Sequence, residues 1–381
     1  MKILFVQKMN GISGSELYML QIMPELKRRG YDVEMLIIYP TPGTNNGRFI
    51  SYLAEHGIKT HEIYNHHALS PALFFKIRKV LNIGRYDLVH TNLIHADIWL
   101  SLIKCFGKWK MKLVSGKHGY DTEYQAKYGF DLRYLKRYPY YWVEKLACLF
   151  INHNITISKA LYTVFTRGGI VSSPKITNIY YGLTLTEPVD QSVQTEVPEG
   201  PYVLITGRLL EVKGHRYLVE AWKKVHQSCP GLKLYFAGDG LLREELEGLV
   251  KAAGLEESII FLGFVPNPHP LVKQSLFTVV TSTWEGFGLI LLESWMHKKP
   301  IVAFDAPAMN EVIDDGVNGL LVPFKNTELL AEKIIWMYQH PGETVAMGEK
   351  GYEKLHSYYT LKRMTDETEE VYRKVAGGEK V

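Results

Sequence analysis

Short apolar runs alternate along the chain with longer stretches in which apolar side chains recur every three or four positions. Lys2 to Gln7 reads as a buried strand, and the segment Asn10 to Ser15 reads as a turn. Leu17, Leu20, Ile22, Met23 and Leu26 then fall on a helical period that stops at Gly30. Val33–Ile38 is a second strand, and a strand–helix–strand unit of this kind is the crossover that parallel pairing requires. Further runs at Leu88–His90, Leu113–Ser115 and Ile155–Ile157 alternate with helical stretches, which predicts a first doubly wound sheet.

The pattern breaks between about Glu187 and Gly200, where the chain is polar, proline-bearing and aperiodic, as a linker is. Strands then follow at Tyr202–Thr206, Lys233–Ala237, Ile259–Phe261, Phe277–Thr281 and Ile301–Phe304. Helical patterns at Gly214–His226, Leu241–Ala253 and Leu289–His297 separate them. The expectation is an α/β protein of two halves, residues 1–186 and 187–361. Thr360–Val375 predicts a closing amphipathic helix, with Met364, Thr368, Val371 and Tyr372 on one side.

With 381 residues, 46% of them hydrophobic, the chain is long enough for two cores. Three cysteines without CxxC spacing argue against a disulfide framework and fit a reducing cytoplasm. The first apolar run is too short for a signal peptide, and nothing later offers the ~18 apolar residues of a membrane span. The net charge of +4 conceals a division: residues 1–190 carry 24 Lys and Arg against 14 Asp and Glu, a net +10, whereas residues 191–381 carry 20 against 26, a net −6. The halves are therefore expected to meet different partners, and no nucleic-acid motif accompanies the basic one.

The most informative segment is Ser282 to Glu293. A strand leads into Gly286 and Gly288 and then into a helix, so free backbone N–H groups and the positive helix end form a seat for phosphate. Glu285 and Glu293 lie eight positions apart, an offset of up to roughly 12 Å if all of it is helical. Such a layout suits a nucleotide sugar, although an isolated Glu pair is more often a helix-end charge and a solvated face. A second strand-to-helix loop, Gly207 to Gly214, carries Arg208 and Lys213, two cations able to neutralise a diphosphate together. There is no Asp-x-Asp pair, and the histidines, His66-His67 included, lack metal-ligand spacing.

Gly207-Arg-Leu-x-x-x-Lys-Gly214, Gly238-Asp-Gly240, Phe261-Leu-Gly-Phe-Val265 and Glu285-Gly-Phe-Gly-x-x-x-x-Glu293, in this order, resemble glycosyltransferase family 4, retaining enzymes of the GT-B fold. In the first half, Gly14 and Glu16, Tyr86 to His90, Lys117-His118-Gly119, Ile157-Ser158-Lys159 and Tyr181-Gly182-Leu183 are similar to family segments. Two positions depart from the pattern: Ser13 precedes Gly14 where two glycines are usual, and Asp305 to Met309 stands where a Gly-Gly pair is usual. The resemblance implies two Rossmann-like domains facing a central cleft. The first, residues 1–186 with a C-terminal helix at 362–381 returning to it, takes the acceptor; the second, residues 187–361, takes the nucleotide sugar.

Carried over by position, Arg208 and Lys213 hold the donor diphosphate, and Glu285 supports the developing charge at the anomeric carbon. Phe287, Gly288 and Leu289 contact phosphate and sugar through their backbone; Glu293 takes the ribose; Gly263 and Val265 lie near the base, and Gly14 belongs to a glycine loop near the donor. His118 projects onto the sugar. The implied reaction is retaining transfer of a hexose from a nucleoside-diphosphate sugar to a hydroxyl of a glycan or lipid-linked acceptor, with no metal or other cofactor. Because no carboxylate is nominated as a nucleophile, a front-face route is expected. Cations interleaved with aromatics at Lys104–Lys112 and Leu132–Trp142 offer an anionic membrane surface a docking site, or else form a soluble basic surface with its aromatics in the core. Two alternatives stay open, a non-catalytic nucleotide-sugar-binding scaffold and a sugar-nucleotide epimerase of the same architecture.

Overall fold

The computed structural model describes residues 1–9, 11, 14–40, 47–65, 70–107, 111–129, 131–184 and 195–377, apart from the side chains of Thr122 and Ala126. Ser13, His66-His67, Lys108 to Lys110 and most of the expected linker lie outside the described residues. The chain divides into two compact units. One comprises residues 1–124, 131–183 and 361–381, the other residues 125–130 and 184–360.

The first unit is built on seven parallel strands: β1 (Lys2–Lys8), β2 (Asp32–Tyr39), β3 (Lys59–Tyr64), β4 (Leu88–Asn92), β5 (Lys112–Lys117), β6 (His153–Thr156) and β7 (Ile176–Asn178). Their order across the sheet is β3-β2-β1-β4-β5-β6-β7. The helices between them are α1 (Gly14–Arg28), α2 (Gly47–Glu55), α3 (Pro71–Gly84), α4 (Leu93–Phe106), α5 (Thr122–Tyr128), α6 (Pro139–Cys148) and α7 (Lys159–Arg167). Both faces of the central strands are covered, so Ile3 to Val6 form a continuous buried run instead of an alternating one.

The second unit repeats the plan with β8 (Tyr202–Thr206), β9 (Lys233–Ala237), β10 (Ile259–Gly263), β11 (Phe277–Val280), β12 (Ile301–Phe304) and β13 (Leu320–Val322), ordered β10-β9-β8-β11-β12-β13. Its helices are α8 (His215–Ser228), α9 (Arg243–Ala252), α10 (His269–Gln274), α11 (Leu289–Met296), α12 (Met309–Val312), α13 (Thr327–Gln339) and α14 (Pro341–Tyr358). Helix α15 (Leu361–Gly377) belongs to the first unit, where Met364, Thr368, Val371, Tyr372 and Val375 are buried. In each sheet the winding reverses once, between β1 and β4 and between β8 and β11. A doubly wound sheet binds its ligands at the carboxyl ends of the strands beside such a reversal.

Candidate functional site

In the second unit the two loops flanking the reversal are stapled together. The Thr281 and Thr283 hydroxyls donate to the Lys213 and Val212 carbonyls at 3.0 and 3.3 Å, and the Thr283 N–H donates to the Val212 carbonyl at 2.8 Å. Lys213 ends a short 3₁₀ turn, Glu211–Lys213, and its ammonium pairs with Glu285 at 2.5 Å. Ser282 Oγ donates to the same carboxylate oxygen at 2.7 Å, fixing the side chain. An ammonium has three N–H donors, so Lys213 can hold Glu285 and still present donors to an anion.

Helix α11 begins directly after Gly288, whose φ of 88° lies in the left-handed region; a Cβ there would come within 2.7 Å of Met309 Cε. Phe287 is buried, and Leu289 opens the helix. Only four of the eight steps from Glu285 to Glu293 are helical, so the helical rise is about 6 Å, half the expected offset. Glu293 is not on a solvated face. Burial raises its pKa to about 7 against the pull of Lys213, which places one ammonium in the field of both carboxylates.

Of the other donor residues expected from sequence, Arg208 follows β8 with an exposed side chain. Gly263, with φ 69°, ends β10, and half-buried Val265 packs on the Tyr202–Leu271 cluster. They lie two strand spacings from β8, roughly 10 Å. Ala308, before α12, has φ 75°, which shows why glycine suits the segment 305–309. Among the described residues, no three His, Cys, Asp or Glu side chains are grouped so as to hold a metal ion.

In the first unit, Gly14 opens α1. Glu16 is buried and accepts from Gln7 Nε2 and from Ser15 Oγ. The strand read as Leu88–His90 runs on to Asn92, because His90, Thr91 and Asn92 are fully buried despite their polarity. His118 follows β5, its Nδ1 2.6 Å from the Tyr181 hydroxyl and its Nε2 2.7 Å from Asn92 Oδ1. Burial first, and then the charge of Lys117, lower its pKa to about 3, so the imidazole is neutral.

On the opposite face of β4 and β5 lies a buried ionic cluster that sequence reasoning missed. Lys117 Nζ is 2.5 Å from Asp97 Oδ2 and also pairs with Glu144. The Ser115 hydroxyl donates to Asp97 at 2.8 Å, and the Thr91 hydroxyl donates to it as well. Asp97 and Glu144 sit inside helical patterns that read as ordinary amphipathic sequence. The signal available was Lys117 itself, a charge closing an otherwise buried strand.

Two family profiles match consecutive stretches of the chain: "Glycosyltransferase Family 4" over residues 12–187 and "Glycosyl transferases group 1" over residues 188–354. EpsD of Bacillus subtilis (strain 168), provisionally assigned as a glycosyltransferase, is 25% identical over 318 residues, 79% of this chain and 80% of its own. The N-acetylgalactosamine-N,N'-diacetylbacillosaminyl-diphospho-undecaprenol 4-alpha-N-acetylgalactosaminyltransferase of Campylobacter jejuni is 32% identical over 156 residues, 40% of this chain and 42% of that enzyme. The Anabaena protein HepE, solved with UDP and glucose, shares the fold with a TM-score of 0.80 at 24% identity, over 98% of this chain and 100% of its own. Sucrose-phosphate synthase of Thermosynechococcus elongatus gives the same TM-score at 18% identity, over 99% and 100%. The fold is GT-B, and with its two profiles meeting at residues 187 and 188 the chain belongs to glycosyltransferase family 4.

Proposed function

We propose that the protein moves a hexose from a nucleoside-diphosphate sugar to a hydroxyl of a glycan or lipid-linked acceptor, with retention of configuration and without a metal. The observation that carries this reading is the Lys213 ammonium set between Glu285 and Glu293 at the start of α11. The helix N-terminus, Lys213 and Arg208 supply positive charge for the diphosphate, while the carboxylates serve sugar and ribose hydroxyls. In the proposed step the bond from the anomeric carbon to phosphate breaks, and the acceptor oxygen bonds to that carbon on the same face. The acceptor proton passes to the leaving diphosphate, so the site supplies positioning and charge stabilisation in place of a protein base. Gly14 would adjoin the donor, Phe287 to Leu289 would contact it through backbone, Gly263 and Val265 would border the base, and His118 would act on a sugar hydroxyl or the transition state.

The ribose role of Glu293 has a pH signature. A carboxylate that accepts two hydroxyl hydrogen bonds must be ionised, and this one is half protonated near pH 7 in the free protein. Donor KM is expected to rise several-fold as pH falls from 8 to 6, and Glu293→Gln to flatten that dependence. An identical pH profile in the variant would remove the assignment.

The acceptor is placed on the first unit, where the positive charge lies. The relatives include an enzyme named for a diphospho-undecaprenol substrate, which favours a lipid-linked acceptor. On α6 and just beyond it Trp142, Leu146 and Leu149 are more than half exposed, and Val143 is exposed beside them. Exposed Arg133, Lys136 and Arg137 flank this stripe, whereas Tyr141 is buried. Apolar side chains ringed by cations suit peripheral binding to an anionic bilayer at its cytoplasmic face. Among the described residues no helix is long and apolar enough to cross a membrane. Flotation should recover the protein with anionic vesicles at low salt, and Trp142→Ser with Leu146→Ser should abolish recovery; wild-type protein that stays at the bottom at low salt contradicts the membrane role.

A further inference from the structure

The partners that hold His118 are themselves held by the C-terminal helix. Asn92 Oδ1 can only accept, so the His118 Nε2 carries the proton, and Nδ1 accepts from the Tyr181 hydroxyl. Tyr181 lies on the strap 180–183, which the first turn of α15 grips at three points. The Leu361 N–H donates to the Leu183 carbonyl at 3.0 Å, Arg363 Nη2 donates to the Tyr180 carbonyl at 3.0 Å, and the Gly182 N–H donates to Met364 Sδ at 3.3 Å.

Two turns further along, α15 supports the back of the same ring system. Tyr18 packs on His118 with ring centroids 4.9 Å apart, and its hydroxyl lies beside the buried Thr368 side chain. The Tyr372 hydroxyl is hydrogen-bonded to His90 Nδ1, and His90 is stacked on Phe5. Gly116 shows how closely these groups converge: a Cβ there would stand 2.6 Å from Asn92 Oδ1, 2.7 Å from His118 Nε2 and 3.1 Å from His90 Nε2. Leu93, the residue after Asn92, has φ 68°, a left-handed conformation that is strained for leucine. Strain of this kind persists where the surroundings over-determine a side chain's position.

The geometry points to α15 as a positioning element for His118: Asn92 keeps the proton on Nε2, and Tyr181, held by the first turn of α15, is the positioning residue that occupies Nδ1 and fixes the ring orientation. Leu361, Met364, Thr368 and Tyr372 fall three or four positions apart, so one face of one helix makes these contacts. Both ring nitrogens of His118 are thereby engaged within the chain, and the plane of the ring is set before any substrate binds. The inference rests on the proposed action of His118 on the donor sugar only for its effect on turnover.

The test uses the full chain with ¹⁵N-labelled histidine rings, reading imidazole ¹H–¹⁵N correlations and assigning the His118 signals by their loss in His118→Gln. Wild-type protein at pH 7 should show a neutral Nε2–H ring. Tyr181→Phe, which keeps the aromatic packing and removes only the hydroxyl, should leave the proton on Nε2, shift the His118 Nδ1 resonance by loss of its hydrogen bond, and lower kcat about tenfold while leaving donor KM within twofold. Arg363→Met, which removes one of the three grips on the strap, should shift the His118 signals in the same sense, and it serves as the probe if Tyr181→Phe does not fold. His118 signals that stay at the wild-type positions in the folded variants would overturn the inference. Undiminished turnover in His118→Gln would instead overturn the reading of His118 as acting on the sugar, leaving the positioning result standing.

Discussion

Replacing Arg208 and Lys213 together by alanine should lower transfer at least 10³-fold and leave the thermal unfolding of the protein close to that of wild type. The loss of activity is electrostatic in origin. Cleavage of the donor places charge on a diphosphate, and the positive groups available beside it are these two cations and the N-terminus of α11. The helix end survives the substitution, but its partial charge is about half a unit and cannot replace two full cations. The cost to the fold is small because Arg208 is solvent-exposed and the Lys213–Glu285 pair keeps partial access to water, so the freed Glu285 carboxylate can hydrate and keeps the Ser282 hydroxyl as a donor. Turnover of the purified double variant, with its circular dichroism melt, checks both halves. Activity within tenfold of wild type would show that the diphosphate is stabilised elsewhere.

Lys117→Met is the substitution with the largest expected cost to the fold. Burial works to lower the pKa of Lys117, but the neighbouring negative groups, Asp97 and Glu144 among them, hold it well above the ordinary value. Removing the ammonium leaves the two carboxyls buried without their counter-charge, which costs about 3–5 kcal/mol. Burial already pushes the Glu144 carboxyl up even with Lys117 present. In the variant, the Glu144 carboxyl therefore binds a proton in the folded state at pH values where the unfolded chain has lost it. A folded state that binds the extra proton loses stability as pH rises, so the deficit relative to wild type should be larger at pH 8 than at pH 5. Urea unfolding at the two pH values measures it. A deficit under 1 kcal/mol at pH 8 would mean that the cluster is not the ionic unit described.

The fold was legible where burial and periodicity coincide. The β1–α1–β2 crossover, the second sheet's strands from Tyr202 to Phe304 and the closing helix all stand out because their apolar positions match a single period. What escaped notice was polar sequence inside the fold. The strand Lys59–Tyr64 has mostly polar side chains and lies at the sheet edge, where partial exposure erases the apolar signal. His90, Thr91 and Asn92 are fully buried because their hydrogen-bond partners come from β5, α4 and α15, which no local pattern discloses. The same reason governs the site. Lys213 and Glu285 could be nominated from two loops of the right form, but their pairing depends on loops that meet only because β8 and β11 are neighbours. For Glu293, sequence could not separate a solvated helix face from a covered one, and only the fold shows that its carboxyl is desolvated enough to titrate near neutrality.

In the proposed function the paired loops after β8 and β11 receive a nucleoside-diphosphate sugar. Calorimetric titration of UDP, GDP and ADP, each alone and as its glucose conjugate, into wild-type protein and into the Arg208→Ala, Lys213→Ala variant tests it most directly. Wild-type protein should bind at least one of these diphosphates, and the folded variant should bind it at least a hundredfold more weakly; equal affinity in the two proteins, or no binding of any of them to wild type, would refute donor binding at these loops.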